Sequence, residues 1–333
     1  MHKTTAVVLL NAHKPSTNFL KLFTLLCFLI TTSISHSATP KLSDDDYQTL
    51  LEKLKQTPTL FADNEGLIGK LSSKQLDNAI TSLGLSHYSF LHPVIIKGSE
   101  IPAMIKGNIA DYSIMVVRGG RLLPVPFQID EISKEGFVYL EGEGELDGEH
   151  GIIDENDELL FMYRDTSIER YNKDMALDGE IVKELEFNRI NEQRFAYLIK
   201  NSKSRSSSRY VSYDPVTSTA KNTFYGFKTQ PDNFLMFEDF YANVGDEQGH
   251  RVLDSVFAVI ETRVLSKYSP KIHLNTFEDI KAVPLGTIDG PVRNAVIISL
   301  NVVVANITVF KIRAQMDIFD QMLGFNAKIT IPG

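Results

Sequence analysis

The chain has 333 residues, a formal net charge of −8 and a single cysteine. The acidic balance argues against nucleic acid as a partner, because phosphates attract basic surfaces. One cysteine cannot supply a disulfide framework or a zinc–thiolate site. The length is sufficient to bury a hydrophobic core without crosslinks.

Residues 1–37 have the three parts of a secretory signal peptide. Lysines precede an apolar run at 22–34, and small residues after it suit cleavage before Ala38. The alternative is an uncleaved membrane anchor, but the run is shorter than the about 20 apolar residues of a membrane span. Since Cys27 lies inside the run, the mature chain would contain no cysteine. We therefore expect a periplasmic or extracellular protein.

Residues 38–91 are predicted to form a small helical N-terminal segment. The stretch 43–56 begins with a serine that can cap a helix, continues with three acids, and carries apolar residues at helical spacing. A second helix is predicted over 73–84, where Gly84 can end it. The segment could be a docking arm, but a cap on the main fold is the preferred interpretation.

From residue 92 onward the hydrophobic period changes to two, which is typical of β-strands. Strands at 112–118 and 121–129 flank Gly119 and Gly120, a pair that favours a tight hairpin turn. Prolines within the second strand predict that it lies at a sheet edge. Further strands are predicted in the following runs: 136–140, 158–164, 183–190, 194–200, 209–213 and 252–265.

The absence of long helices between these strands favours a mainly β fold, an antiparallel β-sandwich over 92–333. The apolar run 295–310 is interpreted as two buried strands or one long strand, so no membrane span is expected in the mature chain. The last predicted strand either closes the sheet or belongs to a chain truncated at its C-terminus. The low-complexity stretch 200–209 could bind an acidic polysaccharide, but a solvated loop is the preferred interpretation.

The acidic stretch before residue 158 partly imitates a calcium loop. Oxygen-bearing side chains alternate around a glycine, which gives four candidate ligands: Glu143, Glu145, Asp147 and Asp154. His150 stands where an apolar residue is usual, and no flanking helices are predicted. A solvated acidic turn is therefore preferred over a structural Ca²⁺ site, and no other cofactor is expected.

Three motifs carry a family resemblance: "VVRGGRLLPVPFQIDE" (116–131), "DENDELLFMYRD" (154–165) and "DGPVR" (289–293). Together they resemble uncharacterised secreted β-sandwich proteins related to exo-rhamnogalacturonan-lyase-like and galactose-mutarotase-like carbohydrate-active proteins. The resemblance implies a sandwich fold, an exported location and a link to polysaccharides. It carries no catalytic role over to Gln128, Asp130 or Arg164.

Common catalytic motifs are missing, and the sequence assigns no catalytic residue. The preferred hypothesis is a non-enzymatic envelope or glycan-binding protein, with a polysaccharide or another envelope component as its partner. The alternative is a polysaccharide lyase or epimerase-like enzyme that acts on an acidic polysaccharide. A third hypothesis is a structural envelope protein without a ligand. The candidate ligand-binding residues are Asp130, His150, Tyr163 and Arg164.

Overall fold

The computed structural model describes residues 41–56, 61–189, 192–243, 249–253, 259–262, 272–304 and 307–328. The predicted signal peptide, Cys27 and the predicted cleavage point before Ala38 lie outside the described residues. None of the described helices is long and apolar enough to span a membrane.

The described part of the N-terminal segment contains four α-helices: α1 (Asp44–Gln56), α2 (Glu65–Ile68), α3 (Ser73–Ser82) and α4 (His87–Leu91). Both helices predicted from the sequence are present, and both have serine caps. The Ser43 hydroxyl accepts a hydrogen bond from the Asp46 backbone N–H at 3.1 Å, and Ser72 forms a reciprocal capping box with Gln75.

The helical segment packs against the β-structure as a cap. Its helices bury Tyr47, Leu50 and Leu54 in one apolar cluster that also contains Tyr163, the residue after β5. Burial of this apolar surface is what holds such short helices, which would be marginal in isolation.

Strands β1–β7 form two antiparallel sheets, ordered β1-β5-β4 and β3-β2-β7-β6. Their bounds are β1 Pro93–Lys97, β2 Tyr112–Arg118, β3 Arg121–Pro124, β4 Phe127–Asp130, β5 Glu158–Met162, β6 Glu180–Arg189 and β7 Glu192–Lys200. The hairpin prediction is confirmed, because Arg118 pairs with Arg121 across a turn in which Gly119 and Gly120 have φ of 56° and 70°.

Strands β8–β18 form three more antiparallel sheets, ordered β12-β11-β10-β9-β8, β13-β14 and β15-β16-β17-β18. Their bounds are β8 Tyr213–Asp214, β9 Thr219–Lys221, β10 Tyr225–Gln230, β11 Asn233–Ala242, β12 His250–Leu253, β13 Val259–Thr262, β14 Ile272–Asn275, β15 Ile280–Asp289, β16 Arg293–Val304, β17 Ile307–Phe319 and β18 Leu323–Lys328. The fold is thus mainly β and antiparallel, as predicted, and consistent with a β-sandwich.

Strand β5 is buried on both faces, which explains its uninterrupted apolar sequence. Leu159 and Phe161 enter the core shared with β2 and β7. Leu160 and Met162 point the other way and join the core formed by β10, β16 and β17. Because side chains alternate across a strand, β5 contributes to both cores.

Three strand predictions need correction, those for 121–129, 136–140 and 209–213; in the last of these only Tyr213 belongs to a strand, β8. The run 121–129 is divided into β3 and β4, which belong to different sheets but both lie at an edge, where a proline costs no ladder hydrogen bond. Residues 136–140 form no strand and make only an isolated bridge between Ile132 and Val138. The predicted strand 252–265 is described only in part, within β12 and β13. The run 295–310 falls on two strands, β16 and β17.

Residues 131–157 form a long loop that connects β4 and β5 and covers the outer face of the last sheet. The Val138 N–H donates to Gln315 Oε1 at 2.7 Å. The Leu140 side chain lies so close to Gly286 that an added Cβ there would approach it to 2.6 Å. The acidic stretch that imitates a calcium loop is therefore a turn between two strands.

The serine-rich stretch 200–209 makes more contacts with the rest of the fold than a solvated loop would make. Ser113 Oγ donates to the Ser204 carbonyl at 2.8 Å. The Arg205 guanidinium donates to the Ala110 carbonyl at 2.6 Å and lies 5.5 Å from the Phe127 ring centre. These contacts tie the connection between β7 and β8 to the first half of the chain.

Candidate functional site

A cleft of about 330 Å³ lies between the helical segment and the sheet that contains β2 and β7. We call it the helix–sheet cleft. Its described lining residues are Leu54, Lys55, Phe61, Ser82, Leu83, Gly84, Arg118, Ser167, Ile168, Glu169, Gln193 and Arg194. This volume and the mixture of apolar and polar groups are typical of small-molecule sites.

Two arginines, both over nine-tenths buried, line the sheet side of this cleft. Arg118 ends β2 and donates from Nη1 to the Leu54 carbonyl at 3.2 Å, one of the last carbonyls of α1 that a helix leaves without an internal donor. Arg194 is the third residue of β7. Its guanidinium donates to Thr166 Oγ1 at 2.9 Å and to the Thr166 carbonyl at 2.7 Å. Both guanidinium groups are therefore fixed in place.

Burial lowers the pKa of Arg118, while the charges of Asp165, Tyr210 and Glu169 act in the opposite direction. The Glu169 carboxylate accepts hydrogen bonds from the backbone N–H groups of Gly119 and Gly120 at 2.8 and 3.0 Å. It thereby anchors the β2–β3 turn beside the cleft. At the rim, the side chain of Ile168 is 71% exposed.

Behind this cleft lies a buried group of charged residues that we call the Arg164 cluster: Glu65, Arg164, Asp165, Tyr210 and Asp320. Arg164 Nη2 contacts Glu65 Oε1 at 2.8 Å and Asp320 Oδ2 at 2.6 Å. The guanidinium carbon also lies 4.4 Å from the centre of the Tyr210 ring. The cluster joins α2, the turn after β5, the segment before β8 and the β17–β18 turn.

Tyr210 stabilises the Asp165 carboxylate of this cluster, because its hydroxyl lies 2.7 Å from each Asp165 carboxylate oxygen. Burial raises the pKa of Asp165 to about 6, although Arg164, Tyr210 and Arg118 lower it. Burial, reinforced by Asp165, raises the pKa of Tyr210 well above its ordinary value. Tyr210 therefore acts here as a hydrogen-bond donor.

A second buried group, the Arg293 cluster, contains Gln128, Asp130, Glu158, Arg293 and Asp317. Arg293 Nη2 contacts Asp130 Oδ2 at 2.6 Å and Glu158 Oε2 at 2.9 Å. The Gln128 amide donates to both Asp130 oxygens at 2.8 Å, and its oxygen accepts from the backbone N–H groups of Val292 and Arg293. Two motifs of the resemblance, "VPFQID" and "DGPVR", therefore meet to join β4 and β16.

The structure divides the four candidate ligand-binding residues between separate places. Asp130 belongs to the Arg293 cluster, and its β-sheet partner is Glu158 at the start of β5. Tyr163 and Arg164 follow the opposite end of β5 and are buried. His150 is largely exposed and contacts Glu131 at 2.8 Å. The four residues thus do not form one site.

All four candidate calcium ligands contact other residues of the chain, and two of them share Asn156. Glu143 contacts Arg313, and Glu145 pairs with Lys134. Asp147 accepts from the Asn156 amide at 2.6 Å, and Asp154 accepts from the Asn156 backbone N–H at 2.7 Å. Among the described residues, no three His, Cys, Asp or Glu side chains form a group that could hold a metal ion. Calcium binding stays a prediction.

Sequence reasoning missed Glu65, Arg118 and Arg194 as members of a site. Arg118 and Arg194 did carry a weak signal, since each is a charged residue beside the apolar run of a strand. A buried charge at such a position needs a partner. Glu65 lies in a four-residue helix and carried no such signal. Arg118 and Arg194 line one cleft because α1 lies beside the end of β2, whereas Glu65 meets Arg164 because α2 lies beside the turn after β5.

Two more open grooves, of about 370 and 320 Å³, lie in the second half of the chain. Arg209 lines the larger one and already pairs with Asp289. Phe224, Phe240 and Met322 line the smaller one, which is mainly apolar. The helix–sheet cleft differs from both because buried guanidinium groups form part of its wall.

No family model matches the sequence, and no curated protein matches it. Among solved structures, it is similar to an α-mannosidase from Enterococcus faecalis V583, with a TM-score of 0.32 and 9% sequence identity. The matched region covers 76% of this chain and 32% of the mannosidase chain. A TM-score of this size does not establish a common fold.

Proposed function

We propose that this protein is an exported, non-enzymatic glycan-binding protein that holds an acidic saccharide in the helix–sheet cleft. The observation that carries the proposal is the placement of two fixed, buried guanidinium groups, Arg118 and Arg194, in the wall of a concave surface. Export rests on the predicted signal peptide at 1–37.

The chemistry of the cleft suits a sugar acid. Guanidinium groups donate paired hydrogen bonds that match the geometry of a carboxylate. Lys55 adds an exposed positive charge at the end of α1, whereas Leu83 and Ile168 offer apolar surface to the face of a sugar ring. Since Arg118 and Arg194 are held by backbone and hydroxyl oxygens, less conformational entropy is lost on binding.

Binding is favoured over catalysis because of the protonation state of these groups. A guanidinium remains protonated in proteins and can donate hydrogen bonds but cannot abstract a proton. An anion bound between Arg118 and Arg194 would therefore be stabilised rather than converted. The lyase or epimerase-like alternative requires a base at the cleft. The formation of unsaturated products in the experiment below would favour that alternative.

The proposal is tested by titrating the purified protein with oligogalacturonates and with neutral oligosaccharides, using calorimetry and thermal unfolding. We expect binding of the acidic series only. Lys55→Ala and Ile168→Ser should each weaken it about tenfold, or about 1.4 kcal/mol, without unfolding the protein because both side chains are exposed.

Lys74→Ala and Val216→Ser are matched controls, since both side chains are exposed and neither lines the cleft. They should bind like the wild type. Absence of binding by every acidic oligosaccharide would contradict the proposal, as would unchanged affinity in both cleft variants. Ultraviolet absorbance from unsaturated products would favour the lyase alternative instead.

A further inference from the structure

The β2–β3 turn presents two consecutive backbone N–H groups to one carboxylate. The Gly119 N–H donates to Glu169 Oε1 at 2.8 Å, and the Gly120 N–H donates to Glu169 Oε2 at 3.0 Å. Successive N–H groups that converge in a turn form a concavity that binds anions. The turn therefore has the geometry of a carboxylate site, and the Glu169 side chain stands in it as the carboxylate of a ligand would.

The backbone of Glu169 is fixed, whereas its carboxylate is held by the turn. The Glu169 N–H donates to Ser167 Oγ at 3.0 Å, and the residue forms an isolated β-bridge with Val117. The hydrogen bonds that the structure gives its carboxylate both come from the glycine N–H groups. Rotation about the side-chain bonds of Glu169 is thus sufficient to withdraw the carboxylate from the turn.

The turn is accessible from outside and lies in a positive environment. Gly119 and Gly120 are both exposed, and no described atom lies within 4 Å of the position that a Cβ on Gly120 would take. Arg118 and Arg121 flank the two glycines and pair across the turn. Since Arg118 and Glu169 also line the helix–sheet cleft, an anion on the turn would lie at the edge of that cleft.

We propose that the β2–β3 turn is a carboxylate subsite of the helix–sheet cleft, which Glu169 occupies in the free protein and which an acidic ligand takes over. In this exchange one carboxylate replaces another on the same two N–H groups, and Glu169 turns into water. A neutral ligand has no group that can replace Glu169. The identity of the ligand as an acidic saccharide rests on the proposed function, whereas anion binding by the turn does not.

The subsite is tested with acetate, followed through the amide resonances of Gly119 and Gly120 in isotope-labelled protein at constant ionic strength. In Glu169→Ala, acetate should shift both resonances saturably, and acetamide, its neutral analogue, should not. The wild type and the control Glu278→Ala, an exposed change outside the cleft, should need about tenfold more acetate, because the tethered Glu169 carboxylate competes.

Absence of a saturable acetate shift in Glu169→Ala would overturn the subsite, and so would equal shifts with acetamide. Because exposed glycine N–H groups can be hydrated, we expect this variant to fold. If it does not, Glu169→Gln decides instead, since it keeps the size of the side chain and replaces the charged competitor by a neutral one. Half-saturation should then occur at less acetate than in the wild type, and an equal concentration would overturn the proposal.

Titration with oligogalacturonate connects the turn to the cleft. In the wild type it should shift the Gly119 and Gly120 amide resonances. Glu169→Gln should raise the affinity about tenfold, or about 1.4 kcal/mol, whereas Glu278→Gln, which removes the same charge elsewhere, should leave it unchanged. A Glu169 that only braced the turn would predict weaker binding in Glu169→Gln.

The two titrations also separate the subsite from the proposed function. Oligogalacturonate binding that leaves both glycine resonances unchanged would overturn the link between the turn and the cleft, as would unchanged or reduced affinity in Glu169→Gln. If oligogalacturonate binds to neither the wild type nor Glu169→Gln, the proposed function is refuted, and the acetate titration still decides whether the turn binds a carboxylate.

Discussion

The Arg293 and Arg164 clusters both bury one arginine among three acids, but they differ in how their polar atoms are satisfied. In the Arg293 cluster, Asp130 receives hydrogen bonds from Arg293 and Gln128, and Glu158 and Asp317 retain partial contact with water. In the Arg164 cluster, Asp165 and Asp320 are fully buried, and Arg164 Nε and Asp320 Oδ1 have no partner among the described residues.

The two clusters differ in hydrogen bonding and not in the direction of their pKa shifts, since burial raises the pKa of Asp130 and Asp317 as it does that of Asp165. A buried network with all members satisfied is rigid, whereas unsatisfied members are costly and respond to a change of protonation. The Arg293 cluster joins two sheets of the β-structure, and the Arg164 cluster joins a short helix to it.

The largest effect is expected from Arg293→Met, which leaves Asp130 buried without its cation. We expect a loss of about 3–5 kcal/mol in the free energy of unfolding, measured by urea denaturation. Arg170→Met is the control, because Arg170 is half exposed and pairs with Glu184 at the surface; its cost should stay below about 1 kcal/mol. Equal losses in the free energy of unfolding of the two variants would show that the Arg293 cluster does not stabilise the fold.

A smaller and pH-dependent effect is expected from Tyr210→Phe. The change removes the hydroxyl that donates to the buried Asp165 carboxylate and should cost about 1–3 kcal/mol at pH 8. Since burial raises the pKa of Asp165 to about 6, most of its population is protonated at pH 5 and the cost should be smaller there.

Tyr225→Phe is the control for this prediction. Its hydroxyl donates to the Phe319 carbonyl at 2.6 Å, a neutral acceptor. Urea denaturation should give similar costs for this variant at pH 5 and pH 8. If Tyr210→Phe were equally insensitive to pH, Asp165 would not be the group that Tyr210 stabilises.

The smallest effect is expected from removing metal ions. Glu143 and Glu145 are engaged with Arg313 and Lys134, and Asp147 is engaged with Asn156. We therefore expect a chelator to leave the thermal unfolding temperature unchanged. A rise in that temperature on adding Ca²⁺, reversed by chelator, would instead support the calcium prediction made from the spacing of the acids.

Much of the fold could be predicted from local pattern. The cap at Ser43, the helical spacing of α1, the Gly119–Gly120 turn and the period-two runs of β2 and β7 are properties of neighbouring residues. The prediction failed at 136–140, where alternating residues suggested a strand. That run packs on the last sheet through Val138 and Leu140 but does not pair with a neighbouring strand. Contacts with the sheet face take the place of the backbone hydrogen bonds of a strand.

The candidate site was less predictable, because its charges come from distant segments. Asp130, Tyr163 and Arg164 were chosen for their proximity along the chain, and β5 places Asp130 at one end and the other two at the opposite end. Glu65 and Arg164 are separated by 99 positions in the sequence. No local pattern relates two such residues.

The mainly β, antiparallel character and the helical N-terminal segment could be predicted from the sequence alone, since each follows from the spacing of apolar residues. The tertiary structure decided which charges meet. Packing alone brought Glu65 to Arg164 and Asp130 to Arg293. The apolar cores on either side of a buried charge fix which elements lie next to it, and therefore which charged residue becomes its partner. The spacing of residues along the chain does not encode that partner.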